Sequence, residues 1–310
     1  MATAQSPSNR IASCAHQAQP SFDDYVQDRK YARNVAPKTV AWYADVWRAF
    51  GRHLNTESAQ SIRDSVRHAV ADLLAKGNKP VSLNSWLTGV RAYCLWLHAE
   101  GHLAERPKVS LLKCEQKVLA TFSPAQVQRL LSFKPKGANQ TRVHVAACLM
   151  LDCGLRLSEV LTLRRGDVDL DNLLVKVVGK GNKQRVVPIS LEMRRMLYRY
   201  TGREGLERLV FGTRHGTRVT NRNFQRDFKL FCAHLRIDGP RCSPHTLRHT
   251  FAVSYLRAGG NLFYVSRILG HTSVTTTQRY LQSVGVDDLQ AVHDRLSPLA
   301  PEHLRRGRQL

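Results

Sequence analysis

Apolar positions recur at helical spacing through most of this chain, in blocks separated by Pro, Gly and polar runs. The first block opens near Ser21-Phe22, with Asp23 and Asp24 in a first turn, where the helix dipole favours acids. Pro37 suits the first position of a second helix, whose stripe is Val40, Tyr43, Val46, Trp47 and Phe50. A third helix spans about Ile62 to Lys76 and stops at Gly77. A fourth follows Pro80 and carries Leu83, Leu87, Val90, Cys94 and Leu97. Such stripes are core faces, so residues 20–103 are expected to form a compact four-helix module with basic outer faces. Residues 1–19 are small and polar, and a disordered lead is expected there.

The pattern lapses over residues 104–119, which are polar and hold Pro107 and several Lys; this is the expected interdomain linker. Ser123-Pro124 pairs a cap with a first-turn proline and starts a new helix. Gly137-Ala138-Asn139-Gln140 reads as a loop, and Val143 to Leu151 as an apolar, buried helix stopped by Gly154. Leu157 to Leu161 begins another turn, which leaves Arg156 at the break. The period then changes to two. Leu173–Val178 and Lys183–Ile189 read as strands joined at Gly179-Lys180-Gly181-Asn182, a turn rich in residues that accept positive φ. Helices resume at about Leu191–Arg199 and, after Thr220, at Asn221–Leu235. Pro244 opens a further run that breaks at Gly259-Gly260-Asn261, resumes, and ends at Gly270. Val286–Leu296 is a last amphipathic piece. Residues 120–297 therefore form a second domain and 298–310 a basic tail. The expected fold is mainly α with a small antiparallel β-sheet, in two domains.

Charge narrows the function. The chain has 47 Lys+Arg against 24 Asp+Glu, a net charge of +23. Such a field gathers polyanions, and nucleic acid is the expected partner. The excess is uneven: residues 1–115 carry 15 basic and 10 acidic side chains, net +5, and the remaining 32 and 14 give net +18. The second domain should grip the polyanion harder. The seven cysteines (Cys14, Cys94, Cys114, Cys148, Cys153, Cys232 and Cys242) are odd in number and include no Cys-x-x-Cys, against both a disulfide framework and a zinc site. No apolar run approaches the roughly 20 residues that span a bilayer. The first residues lack a signal-peptide core, so a soluble cytoplasmic protein is expected.

The chemistry concentrates between Arg156 and Tyr280. Cleaving a phosphodiester without a metal needs an in-line nucleophile, cationic donors for the two non-bridging oxygens, and a proton for the leaving oxygen. Arg156 and Arg248 stand at helix breaks, and a guanidinium binds phosphate oxygens bidentately without losing its charge. His245 shares a helix face with Arg248 at spacing i, i+3, and His271 follows the Gly270 break. Either can donate to phosphate or move a proton. Lys180, at the hairpin tip, is a candidate general acid, and Tyr280 a candidate nucleophile. No carboxylate cluster has metal-ligand spacing, which disfavours a two-metal nuclease. Plainer readings stand beside these: Lys180 as a soluble hairpin tip, His271 as a cap, Tyr280 as a core tyrosine. His249 reads as a packed neighbour rather than a catalyst, and Tyr255 and Tyr264 as core residues.

Five segments, taken together, resemble the signature of the tyrosine recombinases, in their Xer-type and phage-integrase branch. They are Gly154-Leu155-Arg156-Leu157-Ser158-Glu159, Gly179-Lys180-Gly181-Asn182-Lys183, His245-Thr246-Leu247-Arg248-His249-Thr250, Leu269-Gly270-His271 and Tyr280. The resemblance runs over roughly residues 20–296 and is strongest from 120 to 283. It implies a two-domain clamp on double-stranded DNA, in which residues 20–103 are the helical, SAM-like core-binding domain and 120–297 the catalytic domain. It assigns the active site to Arg156, Lys180, His245, Arg248, His271 and Tyr280, with Glu159 orienting Arg156.

The mechanism implied is attack by Tyr280 on a scissile phosphate, giving a 3′-phosphotyrosine and a free 5′-hydroxyl, with no metal, ATP or other cofactor. A homotetramer, or a heterotetramer with a related recombinase, would act at specific recombination sites on two duplexes through a Holliday junction. Val286–Leu296 would dock on a neighbouring protomer, with packing on its own protomer as the plainer reading. The implied setting is a bacterial nucleoid, in chromosome maintenance or a mobile element. Two other classes remain: a DNA-binding accessory factor that does not cleave, and a type IB topoisomerase. The intact set of six argues against the first, and the helical N-terminal module against the second.

Overall fold

The computed structural model describes residues 21–115, 119–179, 183–202, 208–239 and 241–296. The chain divides into two compact units, Met1–Gln116 and Lys117–Leu310. The disordered lead and basic tail expected from the sequence, and Lys180 with its turn neighbours, lie outside the described residues.

The first unit is helical: α1 (Phe22–Gln27), α2 (Pro37–Phe50), α3 (Ala59–Ala75) and α4 (Pro80–Ala99). Ser21 and Asp24 close a reciprocal capping box on α1, and Pro37 and Pro80 sit in the first turns of their helices. The core is built largely of rings. Phe22 stacks on Trp47 at 4.4 Å between centroids, and Tyr25 meets Tyr43 and Tyr93 edge-on. Gly89 is where α4 meets α2, because a Cβ there would stand 2.6 Å from Val46. The unit continues past residue 103: Val109 is buried in this core, and Asn84 both donates to the Leu112 carbonyl (2.9 Å) and accepts its N–H (2.8 Å). An extended segment anchored at single residues carries no period, so the pattern alone assigned it to the linker.

The second unit comprises α5 (Pro124–Leu131), α6 (Ala138–Cys153), α7 (Leu157–Thr162), strands β1 (Val168–Asp169), β2 (Leu174–Val178) and β3 (Gln184–Pro188), α8 (Leu191–Thr201), α9 (Asn221–His234), α10 (Pro244–Arg257), α11 (Leu262–Leu269), α12 (Thr275–Gln278) and α13 (Val286–Leu296). The mainly α fold with a small antiparallel sheet is therefore as expected. The sheet order is β1-β2-β3, with β2 and β3 in register from Leu174 opposite Pro188 to Val178 opposite Gln184. Val175, Val177 and Val187 face the core.

Helices α6 and α10 are buried on nearly every side, as helices without an apolar stripe are when they form the centre of a domain. Helix α6 begins at Ala138, five residues before the expected start; Asn139, Gln140 and Arg142, exposed to half-buried, lie in its polar first turns, not in a loop. Tyr264, expected in the core, is 59% exposed, because Val265 and Leu269 take the inward face of α11. Helix α13 lies against α10 of its own chain through Arg257–Asp288 (3.2 Å) and a hydrogen bond from Arg295 to the Ala258 carbonyl, and it leaves Val286 and Leu289 exposed.

Candidate active site

Two left-handed glycines set up the site. Gly154 (φ +62°) ends α6, and its N–H donates to the Met150 carbonyl. A Cβ there would meet Phe251 at 2.4 Å and Leu269 at 2.6 Å, so only glycine lets α6, α10 and α11 converge. The chain then turns sharply, and Arg156 becomes the residue that caps α7. Gly270 (φ +65°) ends α11 in the same way and delivers His271.

Arg248 occupies the centre. It is buried on α10, and its guanidinium donates to the carbonyls of Gly154 (2.7 Å) and Leu269 (2.8 Å), the two helix ends just described. It also donates to Nε2 of His271 at 3.0 Å. A guanidinium only donates, so Nε2 is the acceptor, and the His271 proton sits on Nδ1, 2.8 Å from the Thr277 hydroxyl. Burial and the neighbouring Arg156 bring Arg248 down to about 10, which leaves it charged at neutral pH. Burial, then Arg248 and Arg156, hold His271 down to about 4.

Arg156 is held from its own helix. Its backbone N–H and its guanidinium both donate to Glu159 (2.8 and 2.9 Å), and a second nitrogen reaches the Gly270 carbonyl at 3.3 Å. Glu159 is buried, and Arg185 grips both its oxygens from β3 at 2.7 and 2.9 Å while donating through Nε to the Ile268 carbonyl. Burial alone would raise the Glu159 carboxyl; the Arg185 and Arg156 hydrogen bonds outweigh it and keep the group ionised. Arg185 was not among the sequence candidates. The signal was available, since β3 alternates and Arg185 shares the inward register of Val187.

His245 sits on the exposed side of α10, and burial with Arg248, Arg156 and Arg241 nearby lowers its pKa. It lines an open cavity of about 740 Å³ with Arg222, Arg226, Lys229, Arg241 and His249. Tyr280 follows α12. Its ring is buried in the apolar cluster of Phe251, Leu256 and Leu269, lying parallel to the His271 ring at 6.4 Å. Its hydroxyl is the polar end of that packing, 3.2 Å from Nδ1 of His249. Burial raises the phenol above its usual value, with Arg248 and Arg279 pulling the other way. Five of the six sequence candidates thus come together around Arg248, and Lys180 lies outside the described residues. Tyr280 also has the core role its plainer reading gave it, and His249, read as a packed neighbour, is the residue that meets its hydroxyl.

Residues 120–284 match the family model described as the phage integrase family. The chain is 30% identical to the tyrosine recombinase XerC of Chlorobaculum parvum, over 89% of this chain and 94% of that protein. It is likewise 30% identical to XerD of Yersinia pestis, over 92% and 99%. The chain belongs to the phage integrase family.

Within that family it is a tyrosine site-specific recombinase of the Xer-like branch. The recombinase fold is shared with the integrase of transposon Tn1549, solved in complex with transposon right-end DNA, at a TM-score of 0.71 and 19% identity over 88% of this chain and 98% of that one. Among the described residues of the recombinase, no helix is long and apolar enough to cross a membrane.

Proposed function

We propose that the recombinase cuts and rejoins double-stranded DNA at specific sites, with Tyr280 as nucleophile. Attack on the scissile phosphate forms a 3′-phosphotyrosine and frees a 5′-hydroxyl. Arg156 and Arg248, with His245 and His271, hold the non-bridging oxygens as charge builds on them. Lys180 protonates the leaving 5′ oxygen, and Glu159, braced by Arg185, orients Arg156. A 5′-hydroxyl from a second duplex then reverses the attack, so exchange passes through a Holliday junction. The ester to Tyr280 keeps the energy of the broken bond, so the reaction draws on neither ATP nor a metal-bound nucleophile.

The observation that carries this reading is the position of Arg248, buried, hydrogen-bonded to His271 and close enough to Tyr280 to pull its hydroxyl pKa down. Arg222, Arg226, Lys229 and Arg241, around the cavity beside His245, suit a phosphate backbone on its way to that point. The Val286 and Leu289 side chains left exposed on α13 suit docking on a neighbouring protomer in a tetramer, of one chain type or of two related ones, on two duplexes. The site of action is the bacterial nucleoid.

A nicked suicide duplex tests the reading. The expected result is a covalent protein–DNA adduct that denaturation does not dissolve, together with strand exchange between duplexes. Y280F should bind the duplex and form no adduct. Relaxation without exchange would make the protein a topoisomerase; binding without adduct in the parent protein would make it an accessory factor.

A further inference from the structure

The Tyr280 hydroxyl has to lose its proton as it attacks, and the roles given above leave that proton without an acceptor. The phenol is no help by itself, because burial moves it away from ionisation. A positioned base is therefore required. Glu159 is committed to two arginines. Both nitrogens of His271 are committed, Nε2 to Arg248 and Nδ1 to Thr277. His245 lies among Arg248, Arg156 and Arg241, and it is His249, not His245, that pairs with the Tyr280 hydroxyl. One imidazole touches the reacting oxygen: Nδ1 of His249 is 3.2 Å from it, one helical turn beyond His245 on the same face of α10.

We propose that His249 is the general base for Tyr280. This rests on Tyr280 being the nucleophile. The hydroxyl donates to Nδ1 in the resting site. As the phenolic oxygen forms its bond to phosphorus, its proton passes to Nδ1, the bond from phosphorus to the 5′ oxygen breaks, and the general acid protonates that oxygen. In rejoining, the incoming 5′-hydroxyl gives its proton to that acid in its deprotonated form, the bond from phosphorus to the tyrosine oxygen breaks, and His249 returns its proton to that oxygen. Protons and electron pairs balance in both directions.

The surroundings make the base conditional on substrate. Arg279 from the segment after α12, and His245 and Arg248 from α10, face the imidazole. Together with burial they keep it uncharged and weakly basic in the free protein. A scissile phosphate adds the negative charge that an imidazolium at this position lacks, so transfer from the phenol becomes favourable only with DNA in place. Tyrosine then stays inert until there is something to attack.

The test uses the full chain on a nicked suicide duplex under single turnover. H249Q should bind DNA as the parent does and form adduct about 10²–10⁴-fold more slowly, the usual worth of a positioned base. Replacing Tyr280 by 3,5-difluorotyrosine, a more acidic phenol, should recover much of that loss in H249Q and change the parent little. A duplex with sulfur at the bridging 5′ position, which leaves without a proton, should leave H249Q slow. Rescue by sulfur would make His249 part of the acid instead and overturn the proposal. So would adduct formation by H249Q as fast as the parent, or no response to the fluorinated phenol. If H249Q does not fold, H249N, whose side chain can still hydrogen-bond the hydroxyl, takes its place with the same expected results. An adduct formed by Y280F would instead refute the nucleophile itself, a separate failure.

Discussion

Protonation at the site depends on which charges face each imidazole. His249 and His271 are both held at about 4, by burial first and by cationic neighbours second. An imidazole in an unfolded chain titrates near 6.5. The folded values are depressed, so the unfolded state binds these protons first. The stability these two groups contribute is therefore fully present above about pH 6.5 and is lost as pH falls towards 4. A phosphate between the rings reverses the local field, since its negative charge favours imidazolium. DNA binding by Y280F, which cannot cleave, should thus take up protons, and more of them at pH 5.5 than at pH 7.5. Binding enthalpies in buffers of different ionisation heat count those protons, and zero uptake at pH 5.5 would mean that neither ring meets phosphate. Both arginines, His245, His271 and the tyrosine were visible in the sequence because their motifs are specific in kind and spacing. The partnership of His249 with Tyr280 was not, because it joins residues 31 positions apart through the fold of α10 against the segment after α12.

At the scale of elements, the site is a junction of ends: the C-termini of α6 and α11, the N-terminus of α7 and one strand. Arg185 ties three of them, binding Glu159 at both oxygens and the Ile268 carbonyl. Arg185→Met would leave a buried carboxylate with one partner fewer. Losing one member of a buried pair costs about 3–5 kcal/mol, and R185M should lower the urea midpoint accordingly. The double variant R185M/E159Q should recover part of that loss, because the stranded charge is gone; simple additivity would show that the pair is not coupled. Gly154→Ala should be among the more damaging small changes, combining about 1–2 kcal/mol for a left-handed residue with steric conflict at Phe251 and Leu269. At Gly270 the conflict is with Arg185, whose Cδ would lie 2.9 Å from a new Cβ. G270A should therefore lower the urea midpoint and, by displacing Arg185 and His271, slow adduct formation as well. Both glycines, and the hairpin, were legible from composition and period. Strand β1 was not, since two residues make no alternation, and the start of α6 was misplaced because polar first turns look like loop.

Over the whole molecule, the uneven charge has a measurable consequence. The second unit holds most of the net +23, and part of it lines one cavity: Arg222, Arg226 and Lys229 project from successive turns of α9, with Arg241 beside them. Each Lys or Arg that neutralises a backbone phosphate releases condensed counterions, and log K falls with log salt by about 0.9 per contact on duplex DNA. A charge that merely faces solvent adds to the long-range field and very little to the slope. The triple variant R222Q/R226Q/K229Q separates the two. If α9 tracks the backbone, its slope between 50 and 200 mM salt should be shallower than the parent's by about 2–3, with affinity lost evenly across sequences. R63Q/R67Q in α3 carries a smaller control change on the less basic first unit. A triple variant with weaker binding but an unchanged slope would mean that α9 steers DNA without touching it, and the phosphate would then reach Arg248 by another path.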